Sequence, residues 1–484
     1  MIEATLKEQG VKVVPFSQAR GYVAQNGTGL NLRADIPHEE VLQQILAKLQ
    51  KIDFRAEAGL DEKDKVTQKH QTVLAVRDVV RTAQELNCGL CKQFDFVYTY
   101  NGQFWRQLEK DELAKFLGNA AGKLGVDGIT ASYYQFRDSL LKQFLATAYL
   151  PRPTHRNGVT LINLANGTFE ISATDQSLRE HRREDFLTYQ LPFAHDPEAT
   201  APRWQAFLDY VLPDQTRQDV CAEFVGYCFT DLKLEKAFLP YGAGANGKSV
   251  FFDVITALLG QENITHFSLQ SLGHEYSRAK LANKLLNYAS EISTRLESET
   301  LKKLASGEPV EARLPYGQPF ILTGYAKLAF NCNELPRDVE HTEAFFRRFL
   351  IVPFDVTVPE EMRNPNLARE IIAGELPGIF NWVLAGLKRL LRQKNFTECL
   401  AVRQAVAAYR KESDSVATWL EEEGYIRSAD DFVSLKTLYA DYKNFCLDAG
   451  YKPLGRNNFS NRIRLNGFKV EKKEVGQVVY LLRV

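Results

Sequence analysis

A multidomain α/β protein with a phosphate-binding loop at its centre is what the sequence predicts, and three observations predict it. GAGANGKS, Gly242 to Ser249, fills G-x-x-x-x-G-K-[ST] at every position. From about residue 236 to 354 short apolar strands alternate with helical patterns, as in a mainly parallel sheet with helices on both faces. Before that region two Asn-Gly pairs sit in alternating segments, and after it come three helices and two strands. The expected order is a region of unassigned role at 1–92, an α+β domain at 93–230, a P-loop core at 231–395 and a winged-helix domain at 396–484.

Composition narrows the class. The 484 residues suffice for several domains, and 45% hydrophobic with 25% charged residues is ordinary for a globular protein. No apolar run approaches the roughly twenty residues of a membrane span. MIEATLKEQGVKVV lacks the basic-then-apolar layout of a signal peptide, so no membrane partner and a cytoplasmic location are expected. Sixty basic and sixty acidic residues give a net charge of +0, which leaves room only for local basic patches. The seven scattered cysteines argue against a disulfide scaffold. Cys88 and Cys91 form a CxxC, but no second Cys/His pair follows at zinc-site spacing, and they are read as ordinary cysteines.

The first 90 residues carry short apolar segments and a charged stretch from Asp61 to Lys69. FVYTYNGQFWRQL then alternates about Asn101-Gly102, and LINLANGTFEI about Asn166-Gly167, each reading as a hairpin. Helical patterns follow at Arg203–Leu212 and Asp219–Phe229, and a helix opened by proline runs from Pro377 to about Leu391. In the tail, helices are expected at Ser415–Glu423, Ser434–Ala449 and near Asn457–Leu465, with strands flanking Gly476. Leu435, Leu438, Tyr439, Tyr442 and Phe445 share one face of the second.

Lys236–Tyr241 reads as a strand and Val250–Leu259 as a helix closed by Gly260, the context a phosphate cradle requires. Gly242, Gly244, Asn246 and Gly247 belong to the loop whose N–H groups would converge on phosphate. Lys248 would place its charge on the β- and γ-phosphate oxygens, and Ser249 would be the hydroxyl ligand of Mg²⁺. Lys284–Glu291, KLLNYASE, offers a second strand ending in Glu291, a group that could polarise an attacking water. Lys327–Asn333, KLAFNCN, ends in an amide, and FFRRFLIVPF sets Arg347 and Arg348 before another strand. The implied cofactors are ATP and Mg²⁺.

GAGANGKS, NYASEIS, LKKLASGEPVEARLPYGQPF, KLAFNCNELP and FFRRFLIVPF, in that order, resemble superfamily 3 helicases. The likeness is to the primase-helicase family of poxviruses, phages and plasmids, and it extends to residues 94–230 and to the tail. It implies an AAA+-like ATPase that forms a homo-hexameric ring and moves on DNA, with a host cytoplasm as its setting. Glu291 would then be the catalytic carboxylate and a metal ligand beside Ser249, Asn333 the sensor, and Arg348 the finger acting on a neighbouring subunit. Arg348 is preferred to Arg347 because the family's arginine directly precedes the strand. Asn333 is preferred to Asn331 because it lies in N-x-x-P with Pro336. Two adjacent acids are common in the family at the second strand, whereas Ser290 precedes a single Glu291 here. The first 90 residues show no paired-acid motif set, so no primase activity is expected of them, and a separate primase or polymerase is a candidate partner.

In relatives the segment between Glu291 and the sensor strand grips DNA in the ring channel. Its punctuation by Gly307, Pro309 and Tyr316-Gly317 suggests a hairpin or loop, with Lys302, Lys303 and Arg313 as basic candidates and Tyr316 as a stacking ring. Between Lys452 and Lys473 seven basic residues face one acid, and Arg456, Arg462, Arg464, Lys472 and Lys473 are the candidates for duplex contact. The leading expectation is an ATP-dependent DNA helicase. An ATP-switched initiator or loader without intrinsic unwinding is the alternative from another class, and a small-molecule kinase would leave the sensor, the finger and the winged helix unexplained.

Overall fold

The computed structural model describes residues 37–93, 96–148, 158–290, 298–315, 317–333, 335–336, 341–474 and 476–484. The chain folds as two compact units, the first drawn mainly from residues up to Gln190 and the second mainly from Leu191 to Val484.

In the first unit, α1 (His38–Lys48) and α2 (Gln68–Glu85) carry apolar stripes that need cover. A capping box opens α2, the Thr67 hydroxyl and the His70 ring satisfying each other's backbone N–H. The cover comes from an antiparallel sheet, β1 (Gly89–Gln93), β2 (Phe96–Tyr100) and β3 (Trp105–Leu108), with α3 (Lys110–Leu124) and α4 (Tyr134–Thr147). Val41, Ile45, Val76, Val79, Val97, Leu117, Phe136 and Phe144 are buried in one cluster. A boundary at residue 92 therefore cuts β1 and runs through a continuous core. From His38 on, the N-terminal region belongs with the hairpin domain.

Both Asn-Gly turns differ from expectation. The β2–β3 loop has four residues, because the Asn101 Oδ1 accepts the N–H groups of Gln103 and Phe104, each at 3.0 Å. In the next sheet, β4 (Thr160–Leu164), β5 (Gly167–Ile171) and β6 (Gln176–Arg179), the turn residues are Ala165 and Asn166. Gly167 serves close approach instead, since a Cβ there would lie 2.4 Å from the Arg179 carbonyl oxygen.

The second unit is built on a parallel sheet of β7 (Ala237–Tyr241), β8 (Ile264–Thr265), β9 (Leu286–Ala289), β12 (Lys327–Phe330) and β13 (Phe349–Pro353), in the order β13-β7-β12-β9-β8. Buried on both faces, these strands are near-continuously apolar. Helices α5 (Pro202–Val211), α6 (Gln215–Tyr227) and α7 (Lys248–Leu259) pack against the long α11 (Leu367–Gln393), and the short α8 (Glu275–Ala279) and α10 (Glu343–Phe346) precede β9 and β13. Two buried carboxylates fix that packing. Glu375 accepts the first N–H groups of α5 from Arg203 and Trp204. Glu223, fully buried, accepts from Arg389 Nε at 2.5 Å and from the Thr397 N–H at 2.7 Å. The helices at 202–227 thus belong with the sheet, and a boundary at 230 is displaced toward residue 191. Pro377 does not open a helix, for α11 begins ten residues earlier and runs through it. Only the bond its missing N–H would have made is forfeited, and the buried contacts of α11 on both sides hold the helix together.

After α11, α12 (Leu400–Glu412) lies along β13, and the buried Tyr409 donates to the Pro336 carbonyl at 2.8 Å. A separate cluster begins only at Val416, so the terminal domain starts near 414 rather than 396. It comprises α13 (Ser415–Glu422), β14 (Tyr425–Ser434), α14 (Leu435–Asp448), α15 (Arg456–Leu465), β15 (Val470–Lys473) and β16 (Gly476–Arg483). β16 is the middle strand of an antiparallel sheet, and Tyr442 stacks on Phe459 at 4.6 Å in the core. β14 is absent from the sequence reading, because its segment YIRSADDFVS carries two acids and a bulge between Arg427 and Phe432.

Lys327 opens β12 in a partly buried position, its Nζ donating to the Leu232 carbonyl at 2.8 Å over the ring of Tyr227. Burial lowers its pKa to about 8. Between that value and the ordinary lysine range the unfolded chain binds more protons than the folded one, so stability rises with pH there. Below pH 8 the full cost of the buried charge is present. Denaturant unfolding of the natural chain against Lys327→Met should show the natural chain gaining about 3 kcal/mol relative to the variant between pH 8 and 10.5.

Candidate functional site

The loop from Gly242 to Gly247 leaves the C-terminal end of β7, between β13 and β12, where ligands of open parallel sheets bind. Each glycine has a distinct reason. A Cβ on Gly242 would lie 2.2 Å from the Phe354 carbonyl oxygen, and Gly244 takes φ 108°. Gly247 combines φ 84° with α5 behind it, where a Cβ would meet Phe207 at 2.9 Å. Asn246 is buried and anchors the loop, its Nδ2 donating to the Phe354 carbonyl at 2.8 Å.

Lys248 is 3% exposed, and its Nζ donates to the Gly242 carbonyl at 2.5 Å and to Asn246 Oδ1 at 3.0 Å. Burial holds the ammonium below its usual pKa. No side chain caps the N-terminus of α7, and Ser249 stands exposed on its first turn. A buried cation lying over loop oxygens, at an uncapped helix N-terminus, fits a phosphate.

Glu291 follows β9 by two residues and lies outside the described residues, as does Tyr316. At the end of β12, Asn333 is exposed. Asn331, two residues earlier, is partly buried. Its Oδ1 is buried with no hydrogen-bond partner among the described residues, and its side chain adjoins the Tyr288 hydroxyl. Burial pushes that phenol up to about 12, with Asp253 on α7 adding to the shift. Both amides lie just past the end of β12, two residues apart, so sequence spacing could not separate them.

The arginines also divide differently from expectation. Arg348 is 7% exposed, with Nε and Nη2 donating to Ser306 Oγ at 3.0 and 2.9 Å and Nη1 to the Ala344 carbonyl. Its N–H groups are spent within its own chain. Arg347 keeps 55% of its side chain exposed and pairs with Glu235 at 2.7 Å.

Lys302 and Lys303 lie on a helix, α9 (Ser298–Ala305), rather than on a hairpin, and Lys303 pairs with Glu299. The hairpin follows them, as β10 (Val310–Ala312) and β11 (Phe320–Leu322). Arg313 leads its loop, with Nε donating to the Gly317 carbonyl at 2.9 Å. In the terminal domain Arg456, Arg464 and Lys472 are exposed. Lys473 lies 3.8 Å over the ring of Phe432. Arg462 is turned inward, its Nε 3.7 Å from the buried Asp414 and its Nη2 donating to the His341 carbonyl at 3.2 Å. Its role in the described structure is to tie α15 to the segment before the arginine pair.

Three families match successive parts of the chain. One described as "D5 N terminal like" matches residues 87–213, a "Family of unknown function (DUF5906)" matches 241–348, and "Poxvirus D5 protein-like" matches 411–481. No curated protein matches the chain. An A-form apo structure of the NrS-1 C-terminal region is similar at 11% identity and TM-score 0.48, over 84% of this chain and 98% of that one. A second apo structure of that region covers 88% of this chain and all of its own, at 11% identity and TM-score 0.46. The two D5 matches flank the one at 241–348, which holds the glycine-rich loop, β12 and the arginine pair of the parallel-sheet unit. Over residues 87–213 and 411–481 the chain is thus similar to D5-like proteins, in line with the primase-helicase resemblance of its motifs. Among the described residues no helix is long and apolar enough to cross a membrane.

Replacing Arg462 leaves a buried carboxylate short of its cation. Arg462→Ala should cost about 2 kcal/mol in denaturant unfolding, whereas Arg464→Ala on the exposed face of α15 should change stability by under about 0.5 kcal/mol.

Proposed function

We propose that this protein is an ATP- and Mg²⁺-dependent DNA helicase that works as a ring of like subunits, hexameric in keeping with the family it resembles. The region about β7 is an AAA+-like P-loop core, and the terminal domain is a winged helix that meets DNA. One observation carries the ring. β7 and β13 pair in parallel from Ala237 opposite Phe349 to Tyr241 opposite Pro353. The arginine pair precedes one end of this ladder and the glycine-rich loop follows the other. Five residue pairs of strand span roughly 17 Å, and an extended arginine side chain reaches about 7 Å. That separation supports a reading in which an arginine that serves hydrolysis acts on a neighbouring subunit's nucleotide.

In this reading the loop N–H groups and Lys248 hold the β- and γ-phosphates, Lys248 exchanging the Gly242 carbonyl for phosphate oxygen. Ser249 and Glu291 are the residues that would hold Mg²⁺, which neutralises charge developing between the phosphates when bound. Glu291 also polarises the attacking water, and Asn331, in place of Asn333, orients it through its Oδ1, which has no hydrogen-bond partner among the described residues. Arg347 of a neighbouring subunit, released from Glu235, stabilises the charge in the transition state. Lys302, Lys303 and Arg313 face single-stranded DNA in the channel, and Arg456, Arg464 and Lys472 face the duplex.

The test is strand displacement on a forked duplex with ATP and Mg²⁺. The natural chain should unwind the fork and Lys248→Ala should not. Arg347→Ala should lower turnover by about a thousandfold with nucleotide affinity nearly kept, while hydrolysis at the normal rate in Arg347→Ala would remove it as the finger. DNA-stimulated hydrolysis without unwinding would favour an initiator or loader instead.

A further inference from the structure

Beside the arginine that can leave the subunit stands one that cannot. Arg348 is buried against its own chain, and the acceptor it shares between Nε and Nη2 is the hydroxyl of Ser306. Ser306 closes α9, its N–H bonded to the Lys302 carbonyl at 3.1 Å, and Gly307 in the left-handed region ends the helix. α9 carries Lys302 and Lys303, and β10 of the following hairpin begins at Val310. On the far side of the same turn, the Tyr325 hydroxyl donates to the Lys303 and Glu308 carbonyls, at 3.3 and 2.8 Å.

The other end of the connection is equally specified. Arg348 offers its own carbonyl to the Ala237 N–H at 2.8 Å, so its backbone starts the β7–β13 ladder. Its guanidinium stands 3.5 Å from Glu235 Oε2, the oxygen that holds Arg347 at 2.7 Å. The Arg347 carbonyl accepts from Lys236 Nζ at 2.5 Å. Drawing Arg347 off Glu235 therefore alters the charge beside Arg348 and pulls on the backbone that positions it. From there the bonds of the Arg348 guanidinium to the Ser306 hydroxyl lead into α9.

We infer that Arg348 and Ser306 are positioning residues forming a tie between the arginine that senses a neighbour's nucleotide and the α9–hairpin segment that meets single-stranded DNA. The inference rests on the helicase reading and adds to it the route by which DNA in the channel alters hydrolysis. Neither residue touches nucleotide or DNA. A structural prop would affect turnover with and without DNA alike, whereas a tie affects the ratio of the two.

The experiment is ATP turnover of the full chain with and without saturating oligo-dT, in the natural protein, Ser306→Ala and Ser306→Thr. Expected for Ser306→Ala is basal turnover within twofold of the natural chain and stimulation by DNA falling to about onefold. Ser306→Thr, which keeps a hydroxyl at the same position, should retain most of the stimulation. Stimulation that survives in Ser306→Ala overturns the tie and leaves the helicase reading intact. An equal loss of basal and stimulated turnover in Ser306→Ala, or a Ser306→Thr that behaves like Ser306→Ala, overturns it too. A natural chain that hydrolyses ATP without any response to DNA defeats the helicase reading itself, and the tie with it.

Discussion

The parallel pairing of β7 with β13 sets the position of nearly everything else in the second unit. Its register places the glycine-rich loop beyond Tyr241 and, at the same edge, Phe354, whose carbonyl receives Asn246. At the opposite edge it places Glu235 and Lys236 beside Arg347 and Arg348. A slip of one residue would shift Phe354 away from the loop and the arginine pair away from Glu235 and Lys236, and so break both edges together. Five backbone pairings thus hold the loop and the arginines at a fixed separation, one that a single side chain cannot bridge.

Around that ladder, buried polar groups do the locating. Glu375 caps α5, which backs Gly247, and Glu223 joins α6 to α11 through Arg389 and Thr397. Each would be costly alone and each is satisfied. Arg217 of α6 extends the same scheme to the site, with Nη1 reaching the Pro353 carbonyl at 3.0 Å and Asp355 at 2.7 Å. The ion pair holds the Asp355 carboxyl below the usual range. Against this background the Oδ1 of Asn331, just past the end of β12, is buried without a hydrogen-bond partner among the described residues.

Much of this was legible in the sequence, and what was not has physical causes. The loop motif, the strands at 236–241 and 327–333 and the terminal helices announce themselves through local chemistry and period. The placement of residues 38–85 does not, because α1 and α2 are ordinary amphipathic helices whose partner lies in later strands. Gly167 and Pro377 misled in a common way. Their types carry local preferences that tertiary packing overrode, through the Arg179 carbonyl in one case and the buried run of α11 in the other. Glu291 and Tyr316 lie outside the described residues. Choosing between Asn331 and Asn333, or between Arg347 and Arg348, requires knowing which side chain is enclosed, and adjacency in sequence says nothing about enclosure.

The arginine pair shows why enclosure decides role. A guanidinium that must cross to another subunit has to be free enough to leave its resting partner, yet its backbone must be fixed, or its reach would be spent in a wide cone of positions. One residue cannot satisfy both demands. Arg348, enclosed and with its own carbonyl accepting the Ala237 N–H, pins the chain at the start of β13. Arg347, one residue earlier, rests on a single half-exposed carboxylate, a contact of the kind that contributes little and is given up easily. Removing the buried member would loosen the exposed one. Loss of hydrolysis in an Arg348 variant is therefore what a displaced Arg347 would also produce, and the residue that reaches the nucleotide is identified only by a substitution that leaves Arg348 and its partners in place.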